Sequence, residues 1–491
     1  MPNNEIPGAV MNTEVLIAGA GPTGLMMANE LNLAGVPSVL VDKLPERSRL
    51  SKAGGVQSRT QEAFDQRGLL EPLLATGDHP IGTAHFGGIH LPLTRGRHRF
   101  PWRSVPQVVI EGFFEEHLAA QGIHALRGME LTGLGQDADG IAATFADGTT
   151  VGARYLVAAD GGHSTVRKLL QAEFPGQAGT ATVIAADVRL SGVEPTMTHR
   201  WNEAGDWAHL FPLGTDERGR PLLRLAMGGP GRARPREVEV TGTEIRDGLL
   251  AVFGPGVELT ELRYARRITN AARQAARYRH GRVFLAGDAA HVHLPLGAQG
   301  MNTGLQDALN LGWKLAAAVH GWAPEGLLET YHAERHPVGA AVLRNVQAQS
   351  LLMDWEGTRA PEVTATRALF TAMAQLEDVQ FHLDDLLSGM GIRYPMAEAG
   401  PRSRTGLPAP DADLGPARLN ERLRAGRALL IDPDGAFAQV AGRWDDRVDH
   451  VAAGSEPMLV RPDGYVCWSG CGDGRGEDLE AALQRWFGRA R

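Results

Sequence analysis

The stretch GAGPTG holds the first residues whose types and spacing could do chemistry. Gly19-x-Gly21-x-x-Gly24 follows an apolar run, EVLIAGA, and leads into LMMANELNLA, a segment of helical character. Gly19 permits a tight turn, Gly21 lets backbone approach a pyrophosphate, and Gly24 lets helix pack on strand. Pro22 and Thr23 lie at the helix start, where free N–H groups and a partial positive charge face phosphate oxygens. Asp42 closes the next strand, SVLVD, about twenty residues on, where an acid accepts hydrogen bonds from ribose hydroxyls. The pattern is that of a dinucleotide site, and by itself it does not choose between FAD and NAD.

Two distant segments choose FAD. YLVAADGGHSTVRKLL places Asp160 after a buried strand and before a helix. GRVFLAGDAAHVHLPLGAQGMNTGLQDALNLGWKL repeats the form, with Asp288 at the end of its strand. A carboxylate there accepts hydroxyl hydrogens from a polyol chain such as ribityl. The loop from Pro295 through Gly300 has few bulky side chains, so its backbone can lie against a flat ring. Met301 and Asn302 then open a long helix, whose positive end favours negative charge on a reduced flavin.

Other constellations carry less. His291 and His293 form an HxH pair without a third ligand nearby, which points to packing rather than a metal. Ser164 sits in GGHSTV, where Val166 occupies the last glycine of a hydrolase elbow. Cys467 and Cys471 are one residue too far apart for a CxxC redox pair and are the chain's 2 cysteines, so disulfides are not its scaffold. With 491 residues and a net charge of −8, the chain is large enough for several domains and lacks the basic face of a nucleic-acid binder. No signal peptide or membrane-length apolar run is present, so the expected setting is the cytoplasm, away from membranes.

These motifs resemble those of the group A flavoprotein monooxygenases, the para-hydroxybenzoate hydroxylase-like enzymes. GAGPTG is similar to the family's fingerprint, Asp160-Gly161 with Ser164 and Arg167 to its DG motif, and Gly287-Asp288 with Pro295 and GAQGMN to its GD motif. TYHAERHPVG resembles the helical segment that follows. NAARQAARYRHGRVFLAGDAAHVHLPLGAQGMNTGLQDALNLGWKL, SKAGGVQSRTQEAFDQRGLL and RPDGYVCW are similar to the subgroup acting on aromatic polyketides: the angucycline-type hydroxylases and, more distantly, rifampicin monooxygenase. The resemblance carries Asp42, where relatives have Glu, with Lys43 beside it. It also carries Lys52, where relatives have Arg facing the FAD phosphates, and Gln107 as an FAD contact.

The resemblance implies an α/β fold. A discontinuous Rossmann-like FAD domain would comprise residues 11–76, 106–176 and 268–392. A middle domain, 77–105 and 177–267, would lay a mixed sheet over the active site, with Trp201, Trp207, Phe211 and Met227 as candidate lining. Residues 393–491 would form a thioredoxin-like domain without CxxC, behind a Pro/Gly/Ala-rich linker from Tyr394; a homodimer is left open. The implied reaction is NADPH-dependent hydroxylation of a polycyclic aromatic substrate by O2, through a flavin C4a-hydroperoxide, with no catalytic side chain named. Baeyer–Villiger oxygenation of a ketone, rifamycin inactivation and a flavin-bound non-catalytic pathway partner are the alternatives.

Overall fold

A computed structural model describes residues 10–48, 51, 53–77, 79–81, 83–92, 98–216, 218–354, 360–396, 403–470 and 479–491. Strand β1 (Val10–Ala18) feeds helix α1 (Pro22–Leu33) through the glycine turn, and β2 (Ser38–Asp42) lies parallel to β1. Val15, Leu16 and Ile17 are fully buried, as a strand covered on both faces requires. β1 begins four residues before the apolar run does, at Val10, because Val10–Thr13 pair with Thr150–Ala153 of a long neighbour. Pro22 starts α1, where its missing N–H costs nothing.

Helix α2 (Ser58–Asp65) is buried at every position despite the sequence SRTQEAFD. Next comes a hairpin of β3 (Thr83–Phe86) and β4 (Ile89–Pro92), joined by Gly87 and Gly88 with φ of 58° and 74°. Two consecutive positive φ values are the signature of a turn that only such residues make without strain. Strand β5 (Thr150–Ala158) joins β1 in the main sheet.

A second sheet follows from β6 (Thr182–Ser191), β7 (Thr198–Trp201), β8 (Trp207–Thr215), β9 (Pro221–Gly228) and β10 (Glu258–Thr269), in the order β7-β8-β9-β6-β10. A mixed sheet is expected here, yet every pairing is antiparallel. The short connections from β7 to β8 and from β8 to β9 allow nothing else.

β11 (Val283–Leu285) returns to the main sheet, whose parallel core runs β11-β5-β1-β2. Helix α3 (Gln299–Val319) then packs along α1, so tightly that a Cβ on Gly312 would come within 2.5 Å of Glu30 Cβ. Helices α4 (Glu329–Leu352) and α5 (Pro361–Met373) follow. No helix among the described residues is long and apolar enough to cross a membrane.

The C-terminal, thioredoxin-like sheet orders its strands Val448–Val451, Ala428–Ile431, Met458–Val460, Val466–Ser469, with helix Leu479–Phe487 packed on it. Cys467 is buried here, where burial pushes its thiol far up; Cys471 lies outside the described residues. Tyr394, the first residue of the expected linker, is instead an anchor. It is 1% exposed and stacks on Tyr465 at 3.9 Å. Within that stretch, 397–402 lies outside the described residues, and beyond it Ala409 and Leu414 are also buried in the core rather than in a linker.

Buried charge joins this domain to the helices of the first. Glu334 on α4 accepts both Arg461 guanidinium nitrogens, at 2.6 and 2.9 Å, and Lys314 Nζ at 2.8 Å. Asp463 takes Arg461 Nε at 3.0 Å, and Asn310 bridges both acids. Burial alone would raise the Glu334 carboxyl, but Arg461 and Lys314 outweigh it and hold it at about 2. Lys314 moves in the opposite energetic sense, because burial outweighs Glu334 and brings its ammonium down to about 8. Arg461, paired with both acids, accounts for the difference.

Glu334→Ala should therefore leave Lys314 buried without its carboxylate and Arg461 with Asp463 alone, at a cost of about 3–5 kcal/mol, measured by denaturant unfolding. A carboxyl with a depressed folded pKa stabilises above its unfolded value and loses that contribution as pH falls through the folded one. The wild-type stability should fall between about pH 4.5 and 2. The variant should lack that part of the slope.

Candidate functional site

The three glycines of the first turn do different work. Gly19 has φ of +106°, and a Cβ there would sit 2.3 Å from Ala159 O. A Cβ on Gly24 would sit 1.8 Å from Gly19 O. Both are dictated by chain packing on chain. Gly21 meets nothing within 4 Å and faces open space. The Asp42 carboxylate accepts the Ala20 and Leu44 N–H groups, each at 2.8 Å, with Arg127 at 3.7 Å. An ionised carboxylate has about four acceptor positions, so Asp42 shapes the turn and keeps capacity for a ligand hydroxyl.

Asp160 follows β5. Its Oδ2 accepts Val166 N–H at 3.1 Å, and its Oδ1 is buried with no hydrogen-bond partner. Burial raises this carboxyl. A buried orphan acceptor is costly unless something donates to it. Ser164 caps the following turn through Arg167 N–H at 2.9 Å. The Arg167 guanidinium reaches Ala289 O at 2.8 Å and Gly162 O at 2.7 Å, tying the two aspartate loops together.

Gly287 has φ of +57° and lies against Thr23. Asp288 beside it is exposed on the cavity wall. Ahead of α3, Gly297 and Ala298 both have positive φ, 67° and 52°. Ala298 is held there by Asn302, whose side chain donates to Ala298 O at 2.7 Å and Gly55 O at 2.9 Å and accepts Gln57 N–H at 3.1 Å. The Asn302 side chain is fully buried and staples the segment at Gly55 and Gln57 to the start of α3.

One residue that escaped sequence reasoning organises this region. Asp307, fully buried on α3, accepts Gly287 N–H at 3.0 Å, His291 Nε2 at 2.9 Å and Arg335 Nε at 2.6 Å. Burial would raise this carboxyl, but Arg335 and then His291 outweigh it and hold it low. His291 is thus a structural partner, as the lack of a third ligand suggested. In sequence, Asp307 is one more polar residue in GLQDALN, and only its burial distinguishes it.

A cavity of about 930 Å³ gathers these parts. Gly19, Gly21, Pro22, Thr23, Asp42, Lys43, Gln107, Asp160, Asp288, Pro295, Gly300 and Met301 all line it. Gly24 and Asn302 stand behind its wall, and Lys52 lies outside the described residues. Toward the antiparallel sheet, the wall includes Ala84, His85, Trp102, Phe211, Ala226 and Met353, together with Arg224, Tyr264 and Arg266 of the sheet. Of the four candidate lining residues, Phe211 alone is there. Trp207 is fully buried beneath, Met227 packs on Gly248, and Trp201 lies under Arg367, which sits 4.9 Å from its ring.

Residues 12–346 match the family described as FAD binding domain, and residues 402–490 match aromatic-ring hydroxylase, C-terminal. The chain belongs to the FAD-dependent aromatic-ring hydroxylases. This hydroxylase is 41% identical to rifampicin monooxygenase of Streptomyces venezuelae, over 97% of the chain and 99% of that protein. It superposes with TM-score 0.85 on the anhydrotetracycline hydroxylase OxyS from Streptomyces rimosus, at 38% identity, covering 98% and 100% of the two chains. CabE, an aromatic hydroxylase from angucycline biosynthesis, gives TM-score 0.85 at 35% identity, with the same coverage.

The hydroxylase's own geometry fits FAD: open space at Gly21, an orphan acceptor at Asp160 and a helix start behind a small-residue loop. Asp307→Asn should release Gly287 and His291 from their shared acceptor and weaken FAD retention at least ten-fold, read by flavin absorbance after dialysis, with far-UV circular dichroism unchanged.

Proposed function

We propose that this hydroxylase is an NADPH-dependent monooxygenase of polycyclic aromatic polyketides. One observation carries the reading: a single cavity runs from the glycine turn to an apolar, aromatic chamber under the antiparallel sheet. In this reading the N–H groups that open α1 receive the FAD pyrophosphate and Asp42 the adenosine ribose. Asp160 and Asp288 hold the flavin's polar chain. Gly300 and Met301 place the positive start of α3 at the ring. Lys43 and Gln107 stand at the polar end of the same cavity, and Lys52 belongs to the segment whose neighbours Ser51 and Ala53 line it.

FAD held there would supply the redox chemistry, with NADPH as the hydride source and O2 as the source of the oxygen atom that enters the ring, the other oxygen leaving as water. The chain's part is position and dryness. Phe211, Trp102, Ala226 and Met353 exclude water and offer flat apolar contact to a fused-ring substrate. The relatives are named for rifampicin, anhydrotetracycline and angucycline chemistry, and that breadth supports the substrate class.

The test is incubation of the FAD-loaded protein with NADPH, O2 and tetracycline-, angucyclinone- and rifamycin-type compounds. Product mass, NADPH oxidation and peroxide release are read together. The expected result is one substrate that gains a single oxygen atom with NADPH consumed in step. NADPH oxidation that ignores every compound and yields only peroxide would overturn the reading.

A further inference from the structure

Four histidines cluster beside the cavity, and two of them, His85 and His209, line it. His85 and His90 are cross-strand partners on the β3–β4 hairpin, and His199 and His209 are cross-strand partners on β7 and β8. The His199 ring lies 4.9 Å from His85, 5.4 Å from His90 and 4.5 Å from His209. Their nitrogens are not equally available. His209 Nδ1 pairs with His199 Nδ1, and its Nε2 is buried. His293, also on the cavity wall, turns Nδ1 to Leu294 O at 2.7 Å and buries Nε2. His293 Nδ1 donates to that carbonyl, so the neutral ring's Nε2 is an acceptor rather than a donor, and His209 Nε2 is buried without a partner.

His85 differs. Its Nδ1 accepts Gly88 N–H at 3.3 Å. A backbone N–H can only donate, so Nδ1 carries the lone pair and the neutral ring's proton is on Nε2. The turn that imposes this tautomer is itself fixed. Gln349 Oε1 accepts Gly87 N–H at 3.3 Å, and Arg367 donates to Gly87 O at 2.6 Å and Gly88 O at 3.3 Å. Burial, and then His90, keep the ring neutral by bringing its pKa down to about 4. Among the described residues no acceptor meets the Nε2–H, while Phe211, its ring 5.6 Å from that of His85, supplies flat apolar wall beside it. β3 also packs on the Leu296–Ala298 loop, so whatever His85 holds is registered against the start of α3.

We propose that His85 Nε2–H is a specificity-determining donor that binds a ring-carbonyl oxygen of the substrate, selecting quinone- or aryl-ketone-bearing polycycles over carbocyclic ones. The inference rests on the function proposed above, but its test needs no turnover. A donor left without its acceptor in a dry pocket discriminates strongly between a ligand that has the oxygen and one that lacks it.

The experiment is equilibrium titration of the FAD-loaded full chain, followed by flavin absorbance, with 1,8-dihydroxy-9,10-anthraquinone and 1,8-dihydroxyanthracene. Wild type should bind the quinone at least ten-fold more tightly. His85→Phe should abolish that preference by weakening the quinone alone. His85→Gln, which restores a side-chain N–H, should recover most of it. Equal affinity for the two probes in wild type, no binding of either, a preference that survives in His85→Phe, or a Gln variant no better than Phe would each overturn the proposal. Failure of the proposed oxygenation appears separately, as absence of oxygenated product in the turnover assay, and leaves the binding preference measurable.

Discussion

The Asp307 carboxylate is the point on which the flavin half of this protein hangs. It sits without solvent access on α3 and gathers the Gly287 N–H, the His291 ring and the Arg335 guanidinium. A buried carboxylate survives only when its lone pairs are filled, so its three partners are obligatory. Through Gly287 it sets the turn that carries Asp288. Through Arg335, which also reaches Tyr394 Oη at 3.2 Å, it connects to the stacked tyrosine pair of the C-terminal domain. The cofactor end of the cavity and the terminal domain therefore share one electrostatic support.

A second support explains why α2 can be polar and buried at once. Arg59 donates to Asp463 O at 2.6 Å, and just past the helix Arg67 forms a bidentate pair with Glu30, both bonds 2.7 Å, while also reaching Pro462 O at 3.0 Å. Asp65 receives Arg418 at 3.0 Å. The polar face of α2 is thus an internal interface, and the terminal domain is its solvent substitute. The clustered buried charges resist replacement one at a time, since each lost partner leaves another ion desolvated.

Much of this was legible in the sequence where backbone geometry leaves little choice. Gly19 and Gly24 announce the turn because no side chain fits there, and the apolar strands announce the parallel core because both their faces are covered. The motifs at Asp160 and Asp288 were equally plain. What escaped is what depends on distant partners. Asp307, Arg335 and Glu334 look like ordinary helix charges until the fold buries them. Asn302 lies within a motif, yet nothing local reveals that its side-chain amide meets backbone from Gly55 and Gln57. The four histidines come from two separate strand pairs, and no local pattern unites them. Tyr394 was hidden by its Pro- and Gly-rich surroundings.

The burial of α2 also orders events in time. Asp65 and Arg418 are 353 residues apart, and Arg59 and Asp463 are 404 apart. At ribosomal rates of about 5–20 residues per second, α2 waits about 20–80 s for the groups that bury it. Until then its arginines and acids must remain hydrated, so the first domain cannot reach its final packing before Arg418 and Asp463 have been made. Completion of the nucleotide-binding half is in this sense timed by residues about four hundred positions downstream of it.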